Sequence, residues 1–503
     1  MSPSGNFADN FSHKELNSWL CKLEALHPNK IDLGLERIRS VASTLGLLET
    51  HAKIITIAGT NGKGSTVAAL QALLLCAEDQ VKYDGECEDG RSDGNTDAKS
   101  RKRVGCFTSP HLFRFNERIA VNGEYASDRM ICKAFEAIDE ARQSITLTYF
   151  EFSALAALWI FQQEKVDYII LEVGLGGRLD AVNILDADIA IITSIALDHQ
   201  AWLGDSIDLI SLEKGGILRD RQEIIFGEDM PSPLIRLAND KVTNGASLGL
   251  FQQLEVDSEQ ERNNDDASVP NYRHGWTKPS NGLRWCGSSN VGREGFCKHR
   301  QICVDLLLTQ KNLIDIPLSL SAWSCALQAA SIIGVLPDAK QLEVLLWETG
   351  LLGRRSQHVF EGRVIVCDVA HNPAAVQSLV DYFQASDSQP LPVIFAALDD
   401  KALEEIVCIL EPIASSIAVP ALQGSVRVLA PDKIVARLQA ALSVSLRKNA
   451  NAGTTDKELL IKPFATMEAA INWTIQGADS GDKILVVGSF LTVAECIEYI
   501  ENV

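Results

Sequence analysis

Short apolar runs recur through the first half of the chain, and stretches with helical spacing separate them. Continuous apolar runs are typical of parallel strands that are buried on both faces. Between two such runs, Ser153–Gln163 places apolar residues about 3.6 positions apart, which indicates a helix. The runs are Ile54–Ala58, Val104–Phe107, Tyr168–Val173, Ile189–Ile195 and Glu223–Phe226. This alternation predicts an α/β domain built on a parallel sheet.

A second series of apolar runs lies late in the chain and predicts a smaller α/β domain. Its members are Arg363–Cys367, Val393–Ala397, Ser416–Val419 and Lys483–Val487. The length of 503 residues also exceeds what one hydrophobic core usually serves, so two domains are expected. We place the junction near Gly350–Gly353 and assign residues 1–352 and 353–503 to the two domains.

Two polar segments interrupt the first domain. Residues 83–103 are rich in Gly, Asp, Glu, Lys and Ser, and residues 259–300 are rich in Asn, Asp, Ser and Gly. Such segments bury little apolar surface, so we expect surface insertions that are partly disordered.

Charge and composition narrow the class of protein. The formal net charge of −20 argues against nucleic acid as the main partner. No apolar run is long enough for a membrane span, and Met1–Ser12 lacks the apolar core of a signal peptide. The 12 cysteines are scattered and form no C-x-x-C pair, which indicates reduced thiols in the cytoplasm.

The first apolar run leads directly into a glycine-rich turn, Gly59–Ser65, that contains one lysine. Glycines let backbone N–H groups close around phosphate oxygens, while a lysine and the start of a helix supply positive charge. The pattern departs from the usual motif, which has glycine where Ile57 stands. The alternative is a structural strand–helix turn. We predict a phosphate site whose ATP-binding residues are Asn61, Gly62, Lys63, Gly64 and Ser65.

Five further polar clusters stand out, and four of them follow predicted strands or lie close to their ends. They are Thr108–His111, Glu172–Asp180, Asp198–His199, Glu213–Ile217 and Asp368–Pro373. In open α/β sheets, ligands bind outside the carboxyl ends of the strands. These clusters are therefore candidates for the chemistry.

In this order the clusters resemble the folylpolyglutamate synthase and dihydrofolate synthase family, relatives of the Mur ligases. The resemblance is carried by Gly59–Ser65, Ile31–Arg37, Leu147–Glu151 and Ile170–Ala181. It implies a P-loop NTPase-like parallel-sheet domain followed by a smaller, Rossmann-like α/β domain. It also implies ATP-dependent ligation of L-glutamate to 7,8-dihydropteroate and to tetrahydrofolates, through an acyl phosphate.

The resemblance also implies a magnesium centre. Ser109 and Glu172 would hold one Mg²⁺, and Glu172 with His199 would help to hold a second. Lys214 matches a family lysine that CO₂ converts to N6-carboxylysine, although an ordinary surface lysine is the plain alternative. The implied catalytic residues are Lys63, Glu172, His199 and Lys214.

In the second domain, the resemblance assigns Asp368 to the ATP ribose, with His371 nearby. Arg354 would reach the phosphates, although a lone arginine is more often a solvated surface residue. ATP would then lie between the domains, and catalysis would require closure. The asparagine that usually contacts adenine is absent, because Ala322 stands at that position.

For the pterin, the resemblance implies three segments. Phe150 could stack on the ring, unless it is a core aromatic, and Asp180 could accept its N–H groups. The implied residues are Ile31, Asp32, Leu33, Gly34, Thr148, Tyr149, Phe150, Glu151, Leu179, Asp180 and Ala181. Asn29–Asp32 also spells a guanine-specificity motif, but it precedes the phosphate loop, whereas a GTPase needs it afterwards.

Several readings stay open at this point. The chain could retain only one of the two folate activities, it could be a Mur-type cell-wall ligase, or it could bind nucleotide without catalysis. Only about 50 residues precede the phosphate loop, which leaves little room for the N-terminal domain of a Mur enzyme. We expect a monomer that acts on small molecules and binds neither nucleic acid nor membranes.

Overall fold

The computed structural model describes residues 9–83, 102–251, 271–277, 283–291, 298–306, 316–385, 389–423, 428–449, 459–479 and 481–502. The chain forms two compact units. The first comprises Met1–Leu308 with Ser319–Thr349, and the second comprises Thr309–Leu318 with Gly350–Val503. Most of the predicted insertion at residues 83–103 lies outside the described residues.

The first unit alternates strands and helices along most of its length. Its helices are α1 (Asp9–Leu26), α2 (Glu36–Thr44), α3 (Lys63–Tyr83), α4 (Asp128–Arg142), α5 (Tyr149–Gln163), α6 (Gln200–Leu203), α7 (Ile207–Gly215), α8 (Ser232–Thr243), α9 (Leu320–Ile333) and α10 (Ala339–Glu348). Its strands are β1 (Lys53–Ala58), β2 (Val104–Phe107), β3 (Ile119–Val121), β4 (Glu124–Tyr125), β5 (Tyr168–Glu172), β6 (Ile189–Ile192), β7 (Glu223–Phe226), β8 (Ser247–Phe251), β9 (Asn271–Thr277), β10 (Leu283–Val291) and β11 (Lys298–Leu306). Short 3₁₀ turns occupy Phe115–Arg118 and Ala181–Ile184.

Within the described residues, these strands form one sheet in the order β11-β10-β9-β8-β7-β6-β1-β5-β2-β3-β4. The strands from β2 to β9 in this order pair in parallel. The two ends of the sheet are antiparallel, with β3 and β4 beyond β2 and with β10 and β11 beyond β9. The carboxyl ends of β1, β2, β5 and β6 therefore meet at one edge of the sheet.

Burial explains why these apolar runs form central strands. In β1, Lys53 is exposed while Ile54–Ala58 are all buried, because helices cover both faces of a parallel sheet. Helix α5 is apolar around its circumference, and ten of its residues are buried. A capping box fixes its start, since the Thr148 hydroxyl accepts the Glu151 N–H and the Glu151 carboxylate accepts the Thr148 N–H.

The described parts of residues 259–300 form strands, which the sequence pattern did not indicate, while the insertion itself stays a prediction. The segment contains β9, β10 and the start of β11, which extend the parallel sheet beyond β8. Its few apolar residues are large and face inward: Trp276, Leu283 and Trp285 are at most 5% exposed. Overall polarity therefore concealed a strand pattern in which the buried face depends on a few aromatic side chains.

The same hairpin corrects the expectation of reduced thiols for two cysteines, whereas eight others among the described residues are free. Cys286 on β10 and Cys303 on β11 are register partners and form a disulfide. Cross-strand neighbours bring two Cβ atoms within reach of each other although the residues are far apart in sequence.

The second unit contains a smaller sheet. Its strands are β12 (Ser356–Phe360), β13 (Arg363–Asp368), β14 (Leu391–Phe395), β15 (Ala414–Pro420), β16 (Leu460–Phe464) and β17 (Lys483–Val487), in the sheet order β12-β13-β17-β14-β15-β16. Only the β12–β13 pair among these described strands is antiparallel. Its helices are α11 (Pro373–Ala385), α12 (Leu403–Leu410), α13 (Pro431–Asn449), α14 (Met467–Gln476) and α15 (Phe490–Asn502).

Two α/β units with mainly parallel sheets confirm the predicted fold class. The residue limits of the two predicted domains stay a prediction. Among the described residues, no helix combines the length and the apolar character that crossing a bilayer requires.

Candidate active site

The predicted phosphate loop joins β1 to α3, which begins at Lys63. Gly59 and Gly62 have φ values of +148° and +84°, a region that favours glycine. A Cβ atom on Gly59 would lie 1.9 Å from the Thr193 hydroxyl oxygen. The loop therefore needs glycine at position 59 both for its backbone angle and for its close approach to the segment after β6.

The segment after β6 clamps the phosphate loop. The Thr60 N–H donates to the Ser194 carbonyl at 2.8 Å, and the Thr193 hydroxyl donates to the Asn61 carbonyl at 2.6 Å. The Lys63 ammonium donates to the carbonyls of Gly59 and Thr60, at 3.0 and 3.2 Å. The lysine is thus folded over its own loop, next to the start of α3.

Glu172 and Ser109 are brought together, as the sequence predicted for a metal site. Glu172 ends β5 and is only 4% exposed. Its carboxylate accepts the Ser109 N–H at 3.0 Å. The Ser109 hydroxyl and the Glu172 carboxylate are hard oxygen donors, which suits Mg²⁺.

His199 lies beyond the end of β6, where its side chain is exposed. Its φ of +52° is left-handed, and its N–H donates to the Asp198 carboxylate at 2.8 Å. In the part of the chain that the structure describes, no three His, Cys, Asp or Glu side chains form a ready metal cluster. A metal ion here would need further oxygen ligands, such as phosphate or water, besides the protein groups.

Lys214 is buried against the phosphate loop. It belongs to α7, is 5% exposed, and its ammonium donates to the Gly59 carbonyl at 2.8 Å. Burial, together with the positive charge of Lys63, lowers the pKa of Lys214 to about 7, although Asp198 and Asp180 oppose the shift. A substantial fraction of this amine is therefore neutral, and nucleophilic, at neutral pH.

A buried arginine that sequence reasoning missed, Arg118, is hydrogen-bonded to His111 in the loop after β2. Arg118 is 9% exposed, and its Nε–H donates to His111 Nδ1 at 2.7 Å. Burial and the charge of Arg118 lower the pKa of His111 to about 4, so its ring is neutral and accepts this bond. Arg118 escaped notice because it precedes β3, a three-residue strand too short for the pattern to reveal.

The first pterin segment is tied to the second by Arg37. The Arg37 guanidinium lies 3.0 Å from the Asp32 carboxylate and 3.2 Å from the Glu151 carboxylate. Glu151 also serves the capping box of α5, so its carboxylate already has structural partners. Ile31 is 37% exposed, and Leu33 and Gly34 are partly exposed.

The aromatic residues of the second segment have defined neighbours. The Phe150 ring lies against Gly174, where an added Cβ would come within 2.5 Å of it. It also packs 5.7 Å from the Phe107 ring centroid, so Phe150 is partly a core residue. Tyr149 is half-buried, and its ring centroid lies 5.5 Å from the Arg118 guanidinium.

Asp180 in the third segment is 3% exposed. Its carboxylate accepts the N–H groups of Leu175 and Val182, at 2.8 and 3.1 Å. Burial raises the pKa of Asp180 to about 6 in spite of these bonds. Leu179 and Ala181 flank it, and Ala181 is buried. These bonds shape the turn that follows β5.

In the second unit, two predicted ATP residues lie against one aromatic ring. The Arg354 guanidinium lies 5.4 Å, and the His371 ring 6.3 Å, from the Phe490 ring centroid. Asp368 ends β13 and accepts the N–H groups of Arg355 and Ala370, at 3.0 and 2.8 Å. Burial raises the pKa of Asp368, and the charges of Arg354 and Arg355 oppose the shift.

The comparisons with known proteins place the chain among the ATP-dependent ligases of the Mur family. Residues 354–490 match the Mur ligase family, glutamate ligase domain. The chain is 33% identical over 489 residues to the dihydrofolate synthase/folylpolyglutamate synthase of Escherichia coli strain K12, covering 97% of this chain and 96% of that protein.

Solved structures agree with the sequence match. The E. coli enzyme FolC in complex with DHPP and ADP superposes with a TM-score of 0.74 at 30% identity, covering 97% of this chain and 98% of that one. The Yersinia pestis bifunctional enzyme with AMPPNP and Mn ion gives 0.71 at 32% identity, covering 97% and 98%. The chain belongs to the dihydrofolate synthase/folylpolyglutamate synthase family.

Proposed function

We propose that the chain ligates L-glutamate to 7,8-dihydropteroate and to the γ-carboxyl of reduced folates, through an acyl phosphate. The observation that carries this proposal is the grouping at one edge of the sheet. The phosphate loop, Ser109 and Glu172 follow three neighbouring parallel strands, and Lys214 lies 2.8 Å from that loop. A site of this kind can present a phosphoryl group to a carboxylate.

The chemistry divides a difficult condensation into two displacements. An oxygen of the acceptor carboxylate attacks the γ-phosphorus of ATP, the bond to the bridging oxygen breaks, and ADP leaves. The glutamate amine then attacks the acyl carbon and loses a proton, and inorganic phosphate leaves with one former carboxylate oxygen. Phosphoryl transfer depends mostly on positioning and charge neutralisation, which cations and oriented N–H groups supply.

The phosphate loop would hold the triphosphate of ATP. Asn61, Gly62, Gly64 and Ser65 present the backbone and the start of α3, and Lys63 supplies the charge once it turns from its carbonyl partners to phosphate. In the second unit, Asp368 would bind the ribose, and Arg354 and His371 would be further ATP-binding residues. The match of residues 354–490 to a glutamate ligase domain supports that assignment.

Magnesium is the divalent ion that the donor set favours. Ser109 and Glu172 would hold one ion, and Glu172 with His199 would contribute to a second; bound metal would neutralise charge on the transferring phosphoryl group. The Mn ion and ATP analogue in the Y. pestis relative support a metal–nucleotide complex at this site.

Lys214 would react with CO₂ to form a carbamate. Its neutral amine attacks the carbon of CO₂, a C–N bond forms, and one proton is released to solvent. The product is an anion, which would relieve the repulsion that the ammonium experiences from Lys63. The lowered pKa and the burial of Lys214 support this modification.

The three pterin segments would place the acceptor next to this edge. Phe150 and Tyr149 offer aromatic surface, and Asp32, Thr148, Glu151 and Asp180 offer polar groups. Ile31, Leu33, Gly34, Leu179 and Ala181 would complete the surface. The structure of the E. coli relative in complex with DHPP and ADP supports binding of an acceptor besides the nucleotide.

ADP release tests the function directly. Purified protein with Mg-ATP and L-glutamate should turn over both 7,8-dihydropteroate and tetrahydrofolate. Turnover of one acceptor alone would restrict the chain to a single activity. Silence with both acceptors, in protein that binds ATP, would contradict the proposal and favour a cell-wall substrate or a non-catalytic role. Light scattering of the same preparation tests the expected monomer.

A further inference from the structure

Arg118 is a buried cation with unused donors beside the proposed acceptor site. The residue is 9% exposed, and its guanidinium makes one side-chain hydrogen bond among the described residues, from Nε to His111. Among the described residues its terminal amines donate no further side-chain hydrogen bond, although the carboxylates of Glu172 and Glu117 act on its charge. Donors that the protein itself leaves without a hydrogen bond can bind water or a ligand, so these amines are available to a substrate.

The surroundings of Arg118 hold it rigidly at the edge of the sheet. Its carbonyl accepts the Thr108 N–H at 2.9 Å, which joins it to the carboxyl end of β2. The Phe115 and Tyr149 ring centroids lie 5.8 and 5.5 Å from its guanidinium carbon. The Arg118 Nε–H donates to His111 Nδ1 at 2.7 Å, and this bond fixes the plane of the guanidinium fork. The Arg118 fork is therefore oriented before any ligand arrives.

The backbone around Arg118 is also fixed. The Glu117 carboxylate accepts the N–H groups of Leu112, Phe113 and Arg114, at 2.7, 2.8 and 2.6 Å. This closes the turn that carries His111. A loop so constrained keeps His111 and Arg118 in register without help from a substrate.

The position of Arg118 indicates which class of ligand its guanidinium would bind. Arg118 contacts Tyr149, in a segment assigned to the pterin, and His111, two residues after the Ser109 that bonds to Glu172. An acceptor that runs from the pterin segments to the phosphoryl group must bring its reacting carboxylate past this point. A carboxylate matches a guanidinium fork in charge and in shape.

We propose that Arg118 binds the reacting carboxylate of the acceptor substrate and that His111 orients Arg118 for this task. The inference rests on the proposed function, since it assumes a pterin-bearing carboxylate as the acceptor. The carboxylate is anionic and lies near Glu172, in a chain of net charge −20. Arg118 offsets that repulsion on the acceptor side, as Lys63 does on the phosphate side.

A pair of ligands separates this role from a general loss of folding. We would measure the dissociation constants of 7,8-dihydropteroate and of its carboxamide, by calorimetry in the presence of Mg-ADP. The wild type should prefer the carboxylate by about tenfold or more, as a charge-assisted hydrogen bond implies. Arg118→Met should abolish this preference. It should raise the dissociation constant of the carboxylate ligand at least about tenfold and that of the carboxamide by less than about twofold.

Matched variants complete the test. Arg114→Met removes an arginine of the same turn whose side chain is 60% exposed, and it should keep the wild-type preference. His111→Phe should reduce the preference for the carboxylate, but by less than Arg118→Met does. The reason is that it removes the hydrogen bond that orients the Arg118 guanidinium. In turnover, Arg118→Met should raise the KM of the acceptor and leave the KM of ATP unchanged.

The contradicting results are distinct. Equal weakening of both ligands by Arg118→Met, or no change in either, would overturn the proposal while wild-type turnover leaves the ligase function intact. If Arg118→Met does not fold, Arg118→Lys decides: loss of much of the preference supports a fork, and full retention overturns it. Failure of the wild type to bind either ligand would overturn both this inference and the proposed function.

Discussion

Two regions of the first unit bury polar groups, and they differ in whether those groups are satisfied. In the hairpin region around β9 and β10, the buried side chains of His274, Trp285 and Gln328 all hydrogen-bond to other protein groups. The His274 Nε2–H donates to the Phe226 carbonyl at 3.0 Å, and its Nδ1 accepts the Ser324 hydroxyl at 2.9 Å. The Trp285 N–H donates to the same hydroxyl at 3.2 Å.

The same closure occurs one turn further along α9. The Gln328 amide donates to the Ser288 carbonyl at 2.8 Å and accepts the Ser288 N–H at 3.0 Å. At the carboxyl edge, by contrast, the described residues provide Arg118 and Lys214 with one side-chain hydrogen bond each. Arg118 donates to His111, and Lys214 donates to the Gly59 carbonyl. Closed networks specify structure, whereas open ones are available for ligands. Burial of polar groups alone therefore does not identify a site.

The largest expected effect is on kcat, and it comes from removing the Glu172 carboxylate at the carboxyl edge of the sheet. Glu172→Ala should lower kcat by at least about 100-fold, because it removes the carboxylate that would hold the metal. Steady-state ADP release measures the change, and thermal unfolding checks that the fold persists. Glu124→Ala, at an exposed residue of β4, is the control. Near-normal turnover of Glu172→Ala would refute the metal assignment.

Breaking the hydrogen-bond network around His274 should lower the stability of the protein and leave kcat nearly unchanged. His274→Ala leaves the Ser324 hydroxyl and the Phe226 carbonyl short of partners and creates a cavity, which should lower the free energy of unfolding by about 2–4 kcal/mol. Urea unfolding measures this loss. His51→Ala, at an exposed histidine, should change it little. A large fall in kcat for folded His274→Ala would contradict the view that the hairpin region is structural and only the carboxyl edge is catalytic.

Lys214→Met should stabilise the protein while abolishing activity. The folded pKa of about 7 lies below the ordinary 10.5, so the unfolded chain binds the proton more tightly. Wild-type stability therefore falls as pH drops from 10.5 towards 7. The variant should gain at least about 1 kcal/mol near pH 7 and less near pH 10. Urea unfolding in CO₂-free buffer measures the gain, with exposed Lys53→Met as control; a gain independent of pH would contradict the pKa argument.

The smallest effect is expected on the outer face of the hairpin. Arg284 pairs with Asp305 across β10 and β11, and the two side chains are 36% and 62% exposed. Solvent screens such a pair, so Arg284→Ala should change the free energy of unfolding by no more than about 0.5 kcal/mol. A loss as large as that of His274→Ala would show that exposure is a poor guide within this hairpin.

The sequence predicted the central strands well because their burial leaves a continuous apolar signal. Val104–Phe107, Glu223–Phe226 and Lys483–Val487 have the limits that the pattern indicated. The pattern missed β3, β4 and the strands within residues 259–300, because short or one-sided strands carry few apolar residues. These strands form because they hydrogen-bond to neighbouring strands, and not because their own residues are strongly apolar.

Candidate site residues divide in the same way. The loop Gly59–Ser65 and the pair of Ser109 with Glu172 were predictable, because they follow strong strands. Arg118 was not, since its significance depends on pairing between β2 and β3 and on a contact with Tyr149. Nor could sequence show that Asp180 already bonds to backbone N–H groups, because that requires the turn geometry.

Isotope transfer tests the central claim, activation of a carboxylate as an acyl phosphate at this edge. 7,8-Dihydropteroate labelled with ¹⁸O in its carboxylate would be turned over with unlabelled Mg-ATP and L-glutamate, and the inorganic phosphate analysed by mass. The account predicts that one labelled oxygen enters each phosphate released. Unlabelled phosphate, with amide formation intact, would contradict it.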